Sequence, residues 1–528
     1  MRIGIDVGGT HTDAVLLDGK RVVAAHKALT TTNVTDGILN ALLHVLEDAR
    51  VGACDVEAVM LGTTQFTNAI IERRELDRVA AIRIALPSGA ELPPLTGWPE
   101  DIAAAIGGHV YMLRGGYLYD GRPLAPFDDA QADAVIRDIR SKGLTTFAVS
   151  SAFAPMSPQP EILMAEKIRR VVPHARITLS HEIGRLGILE RESAALLNAS
   201  LLSFADRVVD SFQAALRAHG LTCPFFVSQN DGTLMGAEFV RRFPALTFAS
   251  GPTNSLRGAA QLTGREDAVV VDIGGTTTDI GVLQHGFPRQ SNHVIEVGGI
   301  RTNFRMPDIL SIGLGGGSLV EEEGRKIGPR SVGYRLLQQG RIFGGDTLTT
   351  TDVIVASGAL RIGDPARVAN LDRTTITQAK QTIARMLDDG IERTKPNSEP
   401  VPVILVGGGA ILVTEPIAAA SEVLRPQHAH VANAIGAAIA QIGGEADRLV
   451  SYKQVPRAEA IQKLTNEAVR RAIHAGADAA SVRVVDVEET ALGYMDEGSA
   501  RLKIKVVGEI AVLAAKAPAK IDGAAISR

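Results

Sequence analysis

Cysteine and aromatic residues are scarce in this 528-residue chain. The two cysteines, Cys54 and Cys223, are too few and too far apart for a disulfide scaffold or a Cys-x-x-Cys metal site, and reduced core thiols are expected. One Trp and six Tyr offer few surfaces for base stacking, and a net charge of −4 offers no basic footprint. Nucleic acid is therefore not expected as a partner.

Long apolar runs and a leader pattern are also missing. No uninterrupted hydrophobic stretch approaches the length of a membrane span, so membrane association is not expected. The chain begins on a strand pattern at Arg2 to Ile5, without the basic and apolar regions of an export signal, which favours a cytoplasmic protein. A hydrophobic content of 45% with 22% charged residues is typical of a globular enzyme, and the length predicts more than one domain.

Several common catalytic and nucleotide-binding motifs do not occur. There is no Walker-type Gly-x4-Gly-Lys-Ser/Thr, and the glycines at 313–317 lack the last glycine of a dinucleotide fingerprint. There is also no His-Glu-x-x-His and no Gly-x-Ser-x-Gly. The sequence therefore shows no catalytic motif of a conventional zinc amidohydrolase or serine hydrolase. A bound nucleotide would have to be held by residues other than those of the usual nucleotide-binding motifs.

One octapeptide occurs twice, about half a chain apart. Residues 6–13 read DVGGTHTD and residues 272–279 read DIGGTTTD, with six identical positions. Each copy lies between two β-branched or apolar runs, which predicts strand, tight Gly-Gly turn, strand. One copy alone is compatible with an ordinary hairpin, but the repetition favours a phosphate-binding turn. Two copies predict two similar lobes that face one nucleotide.

The residue types in the octapeptide suit phosphate and a hard cation. Paired glycines leave backbone N–H groups open to an anion, and Thr hydroxyls add donors. Asp6 and Asp272 would stand at strand ends, where each could hold Mg²⁺ through water. The predicted nucleotide-binding residues of the two copies are Gly8, Gly9, Thr10, Thr12, Gly274, Gly275, Thr276, Thr277 and Thr278.

Several further segments, in this order and spacing, complete a family resemblance. They are GTTQFTNA at 62–69, QNDGTLM at 229–235, SGP at 250–252, SIGLGGGS at 311–318 and GDTLTTTD at 345–352. With the octapeptides, the chain resembles the actin, Hsp70 and sugar-kinase superfold, and more narrowly the hydantoinase A and 5-oxoprolinase family. It departs from the family pattern at His11, usually an aromatic residue, and at Thr253-Asn254-Ser255, where the family usually carries Ala-Gly-Gly.

The resemblance implies an α/β fold of the two-lobed actin/Hsp70/sugar-kinase type, with a duplicated phosphate-binding hairpin and a small C-terminal α+β segment. We predict domains at 1–182, 183–445 and 446–528, the second opening with a helical run from Ile183 to about His219. In the superfold that the chain resembles, a glycine turn such as Gly407-Gly408-Gly409 packs against adenosine. The alternative is that these glycines only allow close packing where a strand connects to a helix. Gly315 and Gly316 could cradle phosphate or form a flexible turn.

The resemblance also implies a reaction. ATP, with Mg²⁺, would phosphorylate the carbonyl oxygen of a cyclic amide or imide, such as a hydantoin, 5-oxoproline or related lactam, and so permit its hydrolysis. The chain would act as one subunit beside a second hydantoinase-type subunit, and an oligomer is expected. Candidates to orient water are Asp13, Asp279 and Glu190, although each could instead bond its own hairpin or helix.

Two alternative functions remain open at the level of sequence. One is a small-molecule kinase or ATP-dependent carboxylase subunit on the same superfold. The other is a non-catalytic switch gated by ATP. Product analysis distinguishes the first alternative from hydrolysis, and substrate-stimulated ATP turnover distinguishes both enzymes from a switch.

Overall fold

The computed structural model describes residues 1–8, 11–29, 34–291, 294–304, 306–492 and 498–511. The chain divides into two compact units: a larger one of residues 1–232 and 237–440, and a smaller one of residues 233–236 and 441–528. Within the described ranges, no helix is both long enough and apolar enough to cross a membrane. The domain divisions predicted after residues 182 and 445 stay predictions.

The strands are numbered in chain order. The first ten are β1 (Arg2–Val7), β2 (His11–Asp18), β3 (Arg21–Leu29), β4 (Ala58–Thr63), β5 (Val79–Leu86), β6 (His109–Arg114), β7 (Thr146–Ser151), β8 (Arg176–Leu179), β9 (Phe225–Ser228) and β10 (Leu234–Gly236). The remainder are β11 (Ala268–Ile273), β12 (Thr278–Gln284), β13 (Phe287–Pro288), β14 (Ile295–Val297), β15 (Ile300–Thr302), β16 (Ile309–Ile312), β17 (Ser318–Glu321), β18 (Lys326–Ser331), β19 (Val401–Val406), β20 (Ala420–Leu424), β21 (Ile442–Ser451), β22 (Arg483–Ala491) and β23 (Ser499–Gly508).

The α-helices are also numbered in chain order. They are α1 (Val34–Ala49), α2 (Gln65–Glu72), α3 (Glu100–Ala105), α4 (Asp129–Ser141), α5 (Gln159–Val171), α6 (Ser180–Ile183), α7 (Ile188–Ser200) and α8 (Leu202–Ala218). After these come α9 (Ala237–Arg242), α10 (Ser250–Thr263), α11 (Leu336–Gln339), α12 (Thr350–Ala356), α13 (Arg373–Thr394), α14 (Ala432–Ile439) and α15 (Arg457–His474).

Two sheets of the larger unit repeat one local topology. In the first, with order β9-β4-β1-β2-β3, β1 lies antiparallel to β2 and parallel to β4. In the second, with order β13-β12-β11-β19-β20, β11 lies antiparallel to β12 and parallel to β19, and β16 adds to β12. The octapeptides form the β1–β2 and β11–β12 hairpins, as the sequence predicts.

The second sheet is buried on both faces, because its strands alternate apolar residues toward two helical layers. Val269 and Val271 of β11 pack in one cluster with Ile383 and Leu387 of α13. Val270, between them, packs in another with Leu256 of α10. The continuous apolar run of β11 therefore reflects a central strand rather than a half-exposed one.

A third, four-stranded sheet has the order β6-β5-β7-β8 with all neighbours parallel. One side packs against α4 and α5, and the other against α7. The predicted helical run from Ile183 to His219 is divided, since α7 ends at Ser200 and α8 begins at Leu202.

Helices α10 and α14 cross at a distance that only glycine permits. A Cβ on Gly436 would lie 1.8 Å from the Asn254 carbonyl oxygen, and a Cβ on Gly258 would lie 1.8 Å from that of Ala432. On the other side of α14, a Cβ on Gly4 of β1 would lie 2.1 Å from the Ala434 carbonyl oxygen. Helix α14 contacts β1, β2 and β4, while α10 contacts β11, β12 and β19. This helix pair therefore joins the two repeated sheets.

The smaller unit contains β10, β21, β22, β23 and α15. β21 and β23 pair antiparallel over their full lengths, and β22 pairs with β23. Helix α15 packs closely on β21, since a Cβ on Gly444 would lie 2.3 Å from the Ala468 carbonyl oxygen. The predicted C-terminal α+β character is confirmed for the described residues.

The helix crossing yields a stability prediction. Gly436→Ala should destabilise the fold by about 3 kcal/mol or more, because its Cβ meets backbone that cannot move aside. Gly52→Ala is the matched control, since its Cβ meets side-chain atoms at 3.4 Å and its φ is −77°. Urea unfolding followed by circular dichroism measures both. Equal midpoints for the two variants would contradict the close crossing.

Candidate functional site

The two octapeptide hairpins have the same register and the same turn. Asp6 lies opposite Asp13 in the first, and Asp272 lies opposite Asp279 in the second. The turns are closed by equivalent hydrogen bonds, from Gly8 N to the His11 oxygen and from Gly274 N to the Thr277 oxygen, both 2.9 Å. Each hairpin therefore presents a pair of carboxylates on one face beside a glycine turn. Gly9 and Thr10 lie outside the described residues.

Long-range amide and ammonium groups hold the first carboxylate pair. Asn433 Nδ2, on α14, lies 3.0 Å from Asp6 Oδ2 and 2.9 Å from Asp13 Oδ2, and so bridges the two carboxylates. Lys27 Nζ, opposite Asp13 on β3, lies 2.5 Å from Asp13 Oδ1. The Lys27 side chain is 30% exposed, and its Nζ also lies 3.3 Å from the His430 carbonyl oxygen.

Two consecutive residues of α10 reach one carboxylate of each hairpin. Asn254 Nδ2 donates to Asp6 Oδ1 at 3.1 Å, and the Ser255 hydroxyl hydrogen-bonds Asp272. The helix thus holds both hairpins at once. Its residues Thr253-Asn254-Ser255 are those at which the sequence departs from the family pattern, and two of them supply the contacts to these aspartates.

Asp6 and Asp272, the aspartates near the ends of β1 and β11, both have raised pKa values. Burial raises the pKa of Asp6 to about 6, against the lowering effect of the Asn254 hydrogen bond, and the charge of Asp13 raises it further. Burial likewise raises the pKa of Asp272 to about 6; the Ser255 hydrogen bond lowers it, and the charges of Asp279 and Asp6 raise it. The two carboxylates therefore lie close enough to repel each other. A cation between them would relieve that repulsion.

The donor set suits Mg²⁺ better than a metal with many protein ligands. No group of three or more His, Cys, Asp or Glu side chains forms a metal cage within the described ranges. Mg²⁺ keeps several waters and is held by one or two carboxylates together with phosphates. Asn254 Oδ1 is buried without a hydrogen-bond partner in the described structure, and it could accept a hydrogen bond from such a water. Asp6 and Asp272 therefore fit a hydrated cation.

The glycine loop at 313–317 packs onto the second hairpin. Gly316 N and Gly317 N donate to the carbonyl oxygens of Gly274 and Gly275, at 3.0 and 2.7 Å, and Gly315 N bonds Ser318. A Cβ on Gly315 would lie 2.5 Å from Thr276 N. These N–H groups are already engaged, so the loop shapes the hairpin, and direct contact of Gly315 or Gly316 with phosphate stays a prediction.

The turn after β19 also packs on the second hairpin. Gly407 has φ +83°, and a Cβ there would lie 2.3 Å from Asp272 Oδ1. Gly409 N donates to the Ile273 oxygen at 2.7 Å. Gly408, in contrast, has no atom near its Cβ position, and neither does Gly275. Close packing thus accounts for two of the three predicted glycines, and open space remains at Gly408 and Gly275 for a ligand.

The threonines of the hairpins differ in accessibility. Thr12 and Thr278, at equivalent positions, are buried, and the Thr278 hydroxyl donates to the Leu314 oxygen at 2.7 Å. Thr276 is half-buried and Thr277 is exposed. The Thr hydroxyls best placed to meet phosphate in the second copy are therefore those of the turn itself.

The three carboxylates predicted to orient water have different surroundings. Asp279 accepts a hydrogen bond from Ser311 on β16, and burial raises its pKa. Asp13 is paired with Lys27 and Asn433. Glu190 lies in the first turn of α7, 3.8 Å from Arg301 Nη2, so its described ion pair is with β15 rather than with either hairpin.

Sequence reasoning did not single out the residues that hold the aspartates. Lys27 could not be placed by counting from the Asp18-Gly19 turn, because that count puts position 26 opposite Asp13 and a register shift between Leu16 and Leu17 moves the pairing to position 27. The others come from distant parts of the chain; Asn254 and Ser255 were noted only as departures from the family pattern, and none was predicted to contact an aspartate. They are Asn254, Ser255, Ser311 and Asn433.

Two sheets that present the same glycine turn and carboxylate pair define the two-lobed ATPase fold of actin, Hsp70 and the sugar kinases. Comparison with family models agrees. The hydantoinase/oxoprolinase N-terminal region matches residues 2–172, and hydantoinase/oxoprolinase matches residues 191–364. The chain belongs to the hydantoinase/oxoprolinase family.

Individual relatives share this family character at modest identity. Caprolactamase subunit alpha of Pseudomonas jessenii is 27% identical over 395 residues, covering 69% of this chain and 55% of the relative. Acetophenone carboxylase gamma subunit of Aromatoleum aromaticum is 27% identical over 401 residues, covering 67% and 53%. The chain thus spans about half the length of these curated relatives.

Two solved structures share the fold. The ATP-dependent caprolactamase from Pseudomonas jessenii superposes with a TM-score of 0.78 at 21% identity, covering 96% of this chain and 87% of that one. The nucleotide-free acetone carboxylase superposes with a TM-score of 0.65 at 16% identity, covering 97% and 88%. At these identities, the likeness concerns the fold.

The raised pKa of Asp272 yields a prediction for stability. Its folded pKa of about 6 exceeds the ordinary value of 3.8, so the carboxylate's penalty is absent below pH 3.8, develops between the two values and is complete above pH 6. In metal-free protein, Asp272→Asn should therefore add about 1 to 3 kcal/mol of stability at pH 7.5 and much less at pH 4.5. Urea unfolding with a chelator present measures this.

The matched control is Asp48→Asn, on the exposed side of α1, which should change stability by less than about 0.5 kcal/mol at both pH values. A loss of stability at pH 7.5 in Asp272→Asn would contradict a strained carboxylate at this site.

Proposed function

We propose that this chain binds Mg-ATP between its two repeated hairpins. The observation that carries the proposal is a pair of carboxylates, the buried Asp6 and the partly buried Asp272, held by consecutive residues of α10 and each beside a glycine turn. Each hairpin can satisfy only one side of a phosphate chain, so two are needed to enclose it. The family and its ATP-dependent relatives support the use of ATP.

The residues have distinct proposed roles at this site. Asp6 and Asp272 hold Mg²⁺ through water, and the cation supplies charge neutralisation for the transferred phosphoryl group. The turn at Gly274 to Thr277 donates N–H and hydroxyl groups to phosphate oxygens, together with the equivalent residues Gly8, Gly9 and Thr10. Lys27 lies beside the first carboxylate pair and balances its charge. Gly408 leaves room for the nucleoside.

We further propose that the phosphoryl group passes to the carbonyl oxygen of a cyclic amide. Resonance makes an amide carbon a poor electrophile, and phosphorylation removes that protection. Water then adds to the carbon, the ring C–N bond breaks with protonation of nitrogen, and a second water displaces phosphate from the resulting acyl phosphate. The products are the ring-opened amino acid, ADP and phosphate. The relation to caprolactamase subunit alpha supports this chemistry.

Among the candidates to handle protons, Asp279 is favoured. Burial raises its pKa above that of an ordinary carboxyl group, which makes the carboxylate a stronger base. Ser311 holds its side chain in place. Asp13 is already committed to Lys27 and Asn433, and Glu190 to Arg301, so each would have to give up an ionic contact.

A second subunit belongs to this proposal. The named relatives are an alpha and a gamma subunit, and this chain spans about half of their length. We propose that ring opening requires a hydantoinase-type partner, within an oligomer.

A carboxylase subunit is the second candidate function. Its support is the relation to acetophenone carboxylase gamma subunit, at the same 27% identity. Both functions would consume ATP, so the carbonyl compound that stimulates ATP turnover, and its product, discriminate between them.

The first test of this function concerns the nucleotide. Isothermal titration of the purified protein should detect Mg-ATP binding, and Asp6→Ala should weaken it tenfold or more because one of the two carboxylates is lost. Asp48→Ala, an exposed acidic residue, is the control and should bind as the wild type does. No Mg-ATP binding by the wild type at millimolar nucleotide would refute the proposal.

The second test follows the carbonyl oxygen. The protein with its partner subunit is given a cyclic amide labelled with oxygen-18 at the carbonyl, and phosphate and product are analysed by mass spectrometry. The proposed route carries the label into inorganic phosphate. Label that appears only in the carboxylate product, with none in phosphate, would refute the proposed route, in which water attacks the carbonyl carbon of the acyl phosphate, even if ATP were consumed.

A further inference from the structure

The carboxyl ends of three parallel strands meet beside Asp6. In the first sheet, β1 is parallel to β4 and β4 is parallel to β9, so the three strands end at one edge. Asp6 is the register partner of Gly62, and the β4–β9 register, continued by one residue, places Ser228 on the other side of Gly62. Strands β4 and β9 lead into two segments of the family resemblance, at 62–69 and 229–235. In open α/β sheets, ligands bind outside the carboxyl ends of the strands.

The first turn of α10 covers this edge. Asn254 Nδ2 donates to Asp6 Oδ1, and a Cβ on Gly62 would lie 2.6 Å from that nitrogen. A Cβ on Gly251 would lie 3.8 Å from Asp6 Oδ2. Ser250, the first residue of α10, is four residues before Asn254, so the two side chains lie on the same face of the helix. The helix therefore turns this face toward Asp6 and the strand ends.

Four buried side chains at this edge each have a polar atom without a hydrogen-bond partner among the described residues. The atoms are Ser228 Oγ, Asn230 Nδ2, Ser250 Oγ and Asn254 Oδ1, and none of the four residues is more than 2% exposed. Asn230 lies against α10, because its carbonyl oxygen accepts a hydrogen bond from the Thr253 hydroxyl at 3.1 Å. We call these four residues the α10 polar cluster. Buried polar groups normally have partners, so the cluster indicates a bound polar molecule.

The α10 polar cluster offers mainly hydrogen-bond donors. The amide nitrogen of Asn230 and the hydroxyls of Ser228 and Ser250 can donate, whereas the oxygen of Asn254 can only accept. Helix α10 adds its positive end, because Ala249 before it is in the left-handed region, with φ 57°, and provides no side-chain cap in the described structure. The N–H groups at such a helix start are suited to phosphate. The donors therefore favour an oxyanion, and the single acceptor favours one that carries a hydrogen.

The charge of Asp6 sets a condition on that oxyanion. Beside the carboxylate alone an anion would be repelled, whereas the cation proposed at Asp6 and Asp272 would attract it. Hydrogen phosphate meets the remaining requirements, since three of its oxygens accept hydrogen bonds and its P–OH group can donate to Asn254 Oδ1. An amide oxygen accepts two hydrogen bonds, so this contact leaves one for a water of the cation. Sulfate has the same shape but no hydrogen at neutral pH.

We propose that the α10 polar cluster is a product site, which binds the inorganic phosphate formed in the reaction while ADP occupies the two hairpins. The inference rests on the proposed function and adds to it the place of the released phosphate. When water attacks the carbonyl carbon of the acyl phosphate, the bond from that carbon to the phosphoryl oxygen breaks and its electron pair leaves on phosphate. Acyl phosphate and water thus give the carboxylate, hydrogen phosphate and one proton. The product carries the hydrogen that Asn254 Oδ1 requires.

The test measures binding of inorganic phosphate to the full chain. Phosphate, and separately sulfate, is titrated by calorimetry into wild type saturated with Mg-ADP. Phosphate should bind about tenfold more tightly than sulfate, because sulfate would leave Asn254 Oδ1 facing another acceptor. A non-hydrolysable ATP analogue in place of ADP should prevent phosphate binding, since its γ-phosphoryl group takes the cation. Equal affinity for sulfate would overturn hydrogen phosphate as the ligand, and phosphate binding undiminished by the analogue would overturn the product assignment.

Two variants change the cluster without touching the hairpins. Ser250→Ala removes one donor and should weaken phosphate binding about tenfold, the loss expected for one hydrogen bond to a charged group. Asn230→Asp keeps the shape of the side chain but replaces a donor with a negative charge, and should weaken binding further. Ser200→Ala is the matched control, because its buried hydroxyl bonds the Leu197 oxygen within α7. Ser250→Ala and Ser200→Ala should bind Mg-ADP as the wild type does, and Ser250→Ala decides alone if Asn230→Asp does not fold.

The outcomes separate this inference from the proposed function. A wild type that binds Mg-ATP and Mg-ADP but no phosphate at millimolar concentration would overturn the product site and leave the proposed function standing. Phosphate affinity that survives in Ser250→Ala would also overturn the site, since the cluster would then hold water alone. A wild type that binds no Mg-ATP would refute the proposed function, and the product assignment with it.

Discussion

The close crossing of α10 and α14 is the constraint on which the rest of the site depends. At Gly436 and Gly258 the two backbones approach to a distance that excludes any side chain, and Gly4 allows α14 an equally close approach to β1. Because of this approach, Asn433 reaches the first hairpin, and Asn254 and Ser255 reach one aspartate of each hairpin. The geometry of the carboxylates thus follows from backbone packing some distance away from them.

The two hairpins share one local geometry but are supported differently. The second is backed by two glycine loops, whose N–H groups donate to its carbonyl oxygens from Gly316, Gly317 and Gly409. The first is held by side chains, through Lys27 and Asn433. A second hairpin held by backbone hydrogen bonds beside an ion-paired first one suits phosphoryl transfer, which depends on positioning and on neutralisation of charge.

Asp6 and Asp272, in their ionised forms, lower the stability of the folded protein. Burial, together with repulsion from neighbouring carboxylates, raises the pKa values of Asp6 and Asp272 to about 6, so at neutral pH their charged forms weaken the fold. Such strain is expected at functional sites rather than at structural ones. Binding of a cation would therefore stabilise the folded protein, because the positive charge removes a repulsion between carboxylates that the protein's own groups leave in place.

The octapeptide, by itself, determined the most local part of the site. A strand, a Gly-Gly turn and a second strand are specified by residue type and by the two-residue period of strands, and this pairs Asp6 with Asp13 and Asp272 with Asp279. The position of Lys27 could not be obtained from the turn at Asp18-Gly19, because a register shift between Leu16 and Leu17 moves the pairing by one residue. Three contacts were decided only by the tertiary structure. Asn254 and Asn433, which lie 248 and 427 residues from Asp6 in the sequence, both hydrogen-bond Asp6. Glycines 315–317 pack on the second hairpin, and Glu190 pairs with Arg301. The reason is physical: a hairpin is set by neighbours along the chain, whereas these contacts arise where helices pack, and helix packing is decided by the shapes of surfaces that the linear pattern does not bring together.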